Sequence, residues 1–134
     1  MYKDTVTLFS LHNEVWYGTV LEGCDLNVDQ AKILRRYGED SSNKAILHVK
    51  VKHGKVADKE YVKPANFDGD NFTVNTGNDF SFFIEGAYGE LIVEDEDYVA
   101  EYDGFYGYMK TLGAYACKGV AEYSGIPHLE IVGA

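Results

Sequence analysis

"DTVTLFSLHNEVWYGTVLEG", residues 4–23, holds two runs of β-branched and aromatic side chains separated by the polar residues His12 to Glu14. In an extended chain Val6 and Leu8 face one way while Thr5, Thr7 and Phe9 face the other, and Trp16, Tyr17, Val20 and Leu21 resume the pattern after the break. Two such runs around a short polar turn predict an antiparallel hairpin.

The same alternation recurs outward from that hairpin. In "AILHVKVKH", residues 45–53, Leu47, Val49 and Val51 alternate with His48, Lys50 and Lys52, and Gly54 ends the run. "AYACKGVAEYSGIPHLEIVGA", residues 114–134, reads as a closing hairpin turned around Ser124 to Pro127. Residues 56–79 are loop-like, with Pro64, the turn-forming "NFDGDN" and "NTGND", and a short strand "FTV" between them. "FSFFIEG", residues 80–86, puts Phe80, Phe82 and Ile84 on one face, with "ELIV", residues 90–93, as its candidate partner.

Two segments depart from the strand period. In "EDEDYVAEYDGFYGYMK", residues 94–110, Tyr98, Tyr102, Phe105, Tyr106 and Met109 fall on one helical face. Glu94, Asp95, Glu96 and Asp97 occupy its first turn, where carboxylates complement the helix dipole, and Lys110 lies at the opposite end. Gly104 and Gly107 each weaken such a helix by about 1 kcal/mol relative to Ala, so it needs a surface to pack on, either the β core or a neighbouring subunit. "NVDQAKILRRYG", residues 27–38, reads as a short helix capped by Asn27 or Asp29 that buries Ala31, Leu34 and Tyr37 and stops at Gly38; the alternative is a strand "KILRRY". The expected fold is mainly β (α+β): one domain over residues 1–134, a small antiparallel β-barrel or sandwich with a helix in its C-terminal third.

Charge and composition restrict function. The net charge of -10 disfavours sequence-independent binding to a phosphate backbone, so no nucleic acid partner is expected. Residues 1–64 carry ten Lys/Arg against nine Asp/Glu, whereas residues 65–134 carry two against thirteen. The imbalance is either a solvated acidic surface or a pair of unlike surfaces through which copies meet. No run approaches the roughly 20 apolar residues of a membrane span, and the opening "MYKDTVTLF" has no secretory pattern. Cys24 and Cys117 are expected as buried free thiols.

Sites for chemistry are sparse. His12, His48, His53 and His128 lack zinc-ligand spacing and read as surface histidines. "DGDNFTVN" supplies Asp68, Asp70 and Asn71, but Phe72 and Thr73 stand where a calcium loop needs an oxygen ligand and a glycine. With no nucleophile elbow, P-loop or dinucleotide fingerprint, neither an enzymatic activity nor a cofactor or metal is expected.

"DTVTLF", "WYGTVLEGCDLNVD", "ILRRYG", "LHVK", "FFIEG", "DGFYGYM" and "PHLEIVG", spread in order from Asp4 to Gly133, together resemble a family of small uncharacterised proteins encoded by tailed bacteriophages and prophages. Members are similar in size and β-rich layout to minor head and neck proteins, including the stopper type between portal and tail. The resemblance implies a non-enzymatic virion component, a head-tail connector or minor capsid protein, made in the host bacterial cytoplasm and carried into the virion. Its partners would be copies of itself in a ring and other virion proteins such as portal, adaptor or tail. The alternatives are an acidic phage-encoded inhibitor that mimics DNA and a small ligand-binding β-barrel. For assembly, the candidate contacts pair Arg35, Arg36, Lys50 and Lys52 of one copy with the acidic run Glu94, Asp95, Glu96 and Asp97 and the aromatic residues Tyr102, Phe105 and Tyr106 of the next.

Overall fold

The computed structural model describes residues 2–134. Its leading hairpin pairs β1 (Asp4–His12) with the long β2 (Val15–Asn27) across a two-residue turn at Asn13 and Glu14. Both turn residues have positive φ (51° and 65°), the backbone twist that matches right-handed strands. The remaining strands are β3 (Ala45–Lys50), β4 (Lys55–Val56), β5 (Lys59–Glu60), β6 (Phe82–Glu85), β7 (Ile92–Glu94), β8 (Tyr115–Tyr123) and β9 (His128–Gly133). β1, β6, β8, β9, β3 and β2 follow one another by antiparallel pairing, and the β1–β2 ladder closes them into a six-stranded barrel. β7 adds a seventh strand beside the Val15–Tyr17 portion of β2, and β4–β5 form a separate small hairpin. β2 can serve three neighbours because it is long: its far end, Asp25–Asn27, pairs with β3.

Side chains fill the barrel. Val6 and Leu8 of β1 pack with Leu21, Leu47, Val49, Phe83, Leu129 and Ile131. Phe72 and Val74 of the loop-like segment join this core, which is why a stretch of turn-forming composition is nevertheless pinned. "FTV" is not a strand; Phe72 makes a single bridge to Tyr61 while Phe72, Thr73 and Val74 are all buried. "ELIV" does not pair with β6, whose partners are β1 and β8; β7 pairs with β2.

A second core lies on the outside of the barrel wall. Phe9, Phe82 and Ile84, outward-facing on β1 and β6, pack with Trp16, Phe105 and Met109. β1 is therefore buried on both faces, one by the barrel interior and the other by the C-terminal helical segment. Phe9 stacks on Phe82 at 5.1 Å and meets Phe105 edge-on at 5.2 Å. Gly18, opposite Phe9, is required by this arrangement, because a Cβ there would stand 2.8 Å from the Phe9 ring.

The acid-aromatic stretch is not one helix. A 3₁₀ turn (Asp95–Tyr98), α2 (Val99–Tyr102) and α3 (Phe105–Thr111) follow in sequence, broken where Asp103 and Gly104 take φ of 62° and 118°. Gly107 lets the pieces close on each other, since a Cβ there would fall 1.8 Å from the Tyr102 carbonyl oxygen. Residues 27–38 do hold a helix, α1 (Gln30–Tyr37), with the Asp29 side chain accepting from the Ala31 and Lys32 amides. Its buried residue is Ile33; Ala31 and Tyr37 are exposed, because the helix docks by a narrow edge rather than by the predicted face.

Candidate functional site

Asp95 organises the C-terminal helical segment. The Trp16 indole N–H donates to its Oδ1 at 2.9 Å and the Phe105 amide donates to the same oxygen at 2.8 Å. One carboxylate thus ties the β1–β2 hairpin to the first turn of α3, where an unpaired amide would otherwise remain. Asp95 is consequently a structural anchor, while Glu94, Glu96 and Asp97 are exposed. Phe105 is buried in the second core, Tyr106 is half-buried against Phe80 and Phe82, and Tyr102 lies exposed. The aromatic stripe is therefore divided, with Phe105 and Met109 inside and Tyr102 at the surface.

β7 and α2 present apolar side chains to solvent. Ile92 is 70% exposed and Val99 51%, with Leu91 and Tyr102 also open. Glu94, Glu96, Asp97, Glu101 and Asp103 neighbour them along the chain, while Lys59 lines a hollow with Leu91 and Ile92 and Lys110 lines the groove beside Tyr102. Between Trp16, Phe80, Tyr102, Tyr106 and Asp103 runs an open groove of about 420 Å³. β7 is an edge strand that carries exposed apolar residues, the kind of surface another protein can cover.

The basic candidates are dispersed. Arg35, Lys50 and Lys52 are exposed, with the Lys50 ammonium 5.0 Å from the Tyr2 ring centre. Arg36 is engaged within the chain, donating to Glu130 from Nε at 3.0 Å and from Nη2 at 2.6 Å. Lys59, on β5, pairs with Glu90 at 2.8 Å, so the basic first half and acidic second half interleave at that point.

The Arg36 contact belongs to a cluster that sequence reasoning missed. Asp25, His48 and Glu130 are successive cross-strand neighbours on β2, β3 and β9. Glu130 is 5% exposed and accepts hydrogen bonds from Arg36, from the Tyr37 hydroxyl and from His48 Nε2 at 3.0 Å. Burial would push its carboxyl up, but the hydrogen bonds from Tyr37, Arg36 and His48 outweigh it and hold the group below the usual carboxylate range. An ionised carboxylate only accepts, so His48 carries its proton on Nε2. His48 Nδ1 lies 3.8 Å from Asp25. His48 is thus a cross-strand bridge, and His128 beside it stacks on Tyr123 at 4.7 Å. The one available signal was a glutamate interrupting "HLEIVG"; its partners depend on a strand register that spacing does not reveal. Every group in the row is occupied by another, which describes a clasp fastening α1 to the barrel. Among the described residues, no group of three or more His, Cys, Asp or Glu is arranged to hold a metal ion.

Both cysteines are buried free thiols. Burial pushes Cys24 up to about 11 and Cys117 further still, so both are protonated at neutral pH and poor nucleophiles. No helix among the described residues is long and apolar enough to cross a membrane. No protein-family profile, curated protein or solved structure matches the chain.

Proposed function

We propose that the protein is a non-enzymatic structural component of a tailed-phage or prophage particle, in the head-tail connector or minor capsid region, acting through contacts with other proteins. The observation that carries this reading is the set of large apolar side chains left open to solvent around β7 and α2, Leu91 and Ile92 at the first and Val99 and Tyr102 on the second. Exposed side chains of that size raise the free energy of an isolated chain, a cost that is offset when another protein covers them. A side-chain-filled barrel of this size also agrees with what the resemblance to phage proteins implies for a neck component. That filled interior leaves less room for the ligand-binding alternative, and the interleaving of Lys59 with Glu90 counts against a continuous acidic strip that mimics DNA.

The test is to induce the bacterium that encodes the chain, purify its particles, and quantify this protein by mass spectrometry against capsid and portal proteins. A fixed ratio of a few to tens of copies per particle is expected. Absence from purified particles, with the chain free in the lysate, overturns the reading.

A further inference from the structure

The open groove of about 420 Å³ beside α3 has two kinds of lining. Its apolar part is Leu11 with the aromatic side chains of Trp16, Phe80, Tyr102 and Tyr106. Tyr102 is exposed and Phe80 and Tyr106 are half-buried, so aromatic surface remains open to an occupant. Its polar part is Asn78, Asp79, Asp95, Asp103 and Lys110. Asp95 spends Oδ1 on the Trp16 indole and the Phe105 amide, and no hydrogen bond among the described residues reaches its Oδ2. Asp79, Asp103 and Lys110 are exposed, and none of them enters an ion pair among the described residues. Acceptors, a donor and an amide that can do both are therefore unspent along an aromatic-lined groove.

We propose that this groove binds a neutral saccharide unit. The charges select the class of occupant. The carboxylates of Asp79, Asp95 and Asp103 disfavour an anion, while Lys110 disfavours a cation, as does Lys118 with its ammonium 5.9 Å from the Phe80 ring centre. A sugar carries no charge, and each of its hydroxyls both donates and accepts, so it can donate to Asp79 and Asp103 while accepting from Lys110. Its C–H faces are apolar and suit the rings of Phe80, Tyr102 and Tyr106. A volume of this size and a mixture of aromatic walls with a few polar groups are what small-molecule sites present. The groove lies outside the filled barrel, so the packing of the interior does not oppose it, and the inference stands independently of the assembly reading.

The experiment titrates the full chain with glucose, galactose, mannose and N-acetylglucosamine, and with maltose, lactose and chitobiose. The readouts are the emission of Trp16, the one tryptophan, and the amide and indole N–H shifts in NMR spectra. At least one sugar should give a saturable change with a Kd on the order of 1–10 mM, its shifts centred on the Trp16 indole and the amides of Asp79, Gly104 and Gly107. Lys110→Ala and Asp103→Gly should each weaken that binding about three- to tenfold, the loss of one hydrogen bond. Both positions are exposed, glycine suits the φ of 62° at Asp103, and circular dichroism checks that each variant is folded. Weakening in both variants is the signature of a neutral occupant, since a cation would bind Lys110→Ala more tightly and an anion would bind Asp103→Gly more tightly. A disaccharide that binds more tightly than its single rings supports a unit of a longer glycan, and equal binding supports a free sugar. The proposal is overturned if no sugar gives a saturable response up to about 50 mM, well beyond the millimolar scale of weak binding. It is equally overturned if the shifts fall away from the groove, or if acetyl-arginine amide or phosphate binds there and the sugars do not.

Discussion

Replacing Glu130 with Gln should loosen α1 from the barrel. The substitution keeps volume but removes the charge that holds Arg36, Tyr37 and His48. Breaking one partner of a fully buried ion pair costs about 3–5 kcal/mol. Arg36 is 51% exposed, so solvent screens its share, and a loss of roughly 2–3 kcal/mol is the expected figure. For a chain of this length that corresponds to a fall of about 6–12 °C in Tm. Urea denaturation at pH 7 should show a lower midpoint at unchanged slope. The folded-state pKa of Glu130 lies below its ordinary 4.5, so its contribution is complete above that pH and is lost as pH falls through the folded-state value. The gap between wild type and variant should therefore narrow as pH falls below 4.5 and close once pH passes below the folded-state value, where the wild-type carboxyl is also neutral. A gap under about 0.5 kcal/mol at pH 7, the scale of an ordinary surface substitution, or one unchanged at pH 3, would refute the reasoning.

Other consequences follow from single contacts. Gly107→Ala drives a methyl group into the Tyr102 carbonyl and should cost at least about 2 kcal/mol, read by thermal melting. Asp95→Ala removes the acceptor shared by Trp16 and Phe105; it should lower stability by about 2 kcal/mol and shift the emission of Trp16, the one tryptophan. Glu14→Gly relieves a left-handed residue in the first hairpin and should stabilise by about 0.5 kcal/mol, the backbone gain partly offset by the entropy of a glycine in the unfolded chain. Both thiols should resist a thiol-reactive dye at pH 7 in the native protein and react together on unfolding; prompt native labelling of Cys24 would contradict its burial.

What could be read from the sequence was the part governed by local period. The 4–23 hairpin, the alternation through Leu47 and Val49, and the closing hairpin at Ser124–Pro127 all stand as expected, since each rests on neighbouring residues. The outer core was half visible, because Phe82 and Ile84 share a face with Phe80. What escaped depends on distant pairing. "ELIV" could not announce β2 as its partner, and Glu130 could not announce His48. The break at Asp103–Gly104 was hidden because an unbroken 3.6-residue pattern fits the same aromatics; the positive φ of Gly104 and the close approach of Gly107 to Tyr102 explain why the glycines are there. Among the candidate contacts, Glu96, Asp97, Tyr102, Arg35, Lys50 and Lys52 are exposed, whereas Arg36, Asp95 and Phe105 are engaged within the chain.

The expectation that copies of this chain assemble with one another is tested most directly by the native mass of the purified chain. Light scattering would follow it across protein concentration at roughly 0.05 M and 0.5 M salt, which spans the range where screening shortens from well over 10 Å to a few ångströms. The account predicts a species of several copies at low salt that grows with concentration and diminishes at high salt. A mass of 15.0 kDa at every concentration in both salts would contradict it.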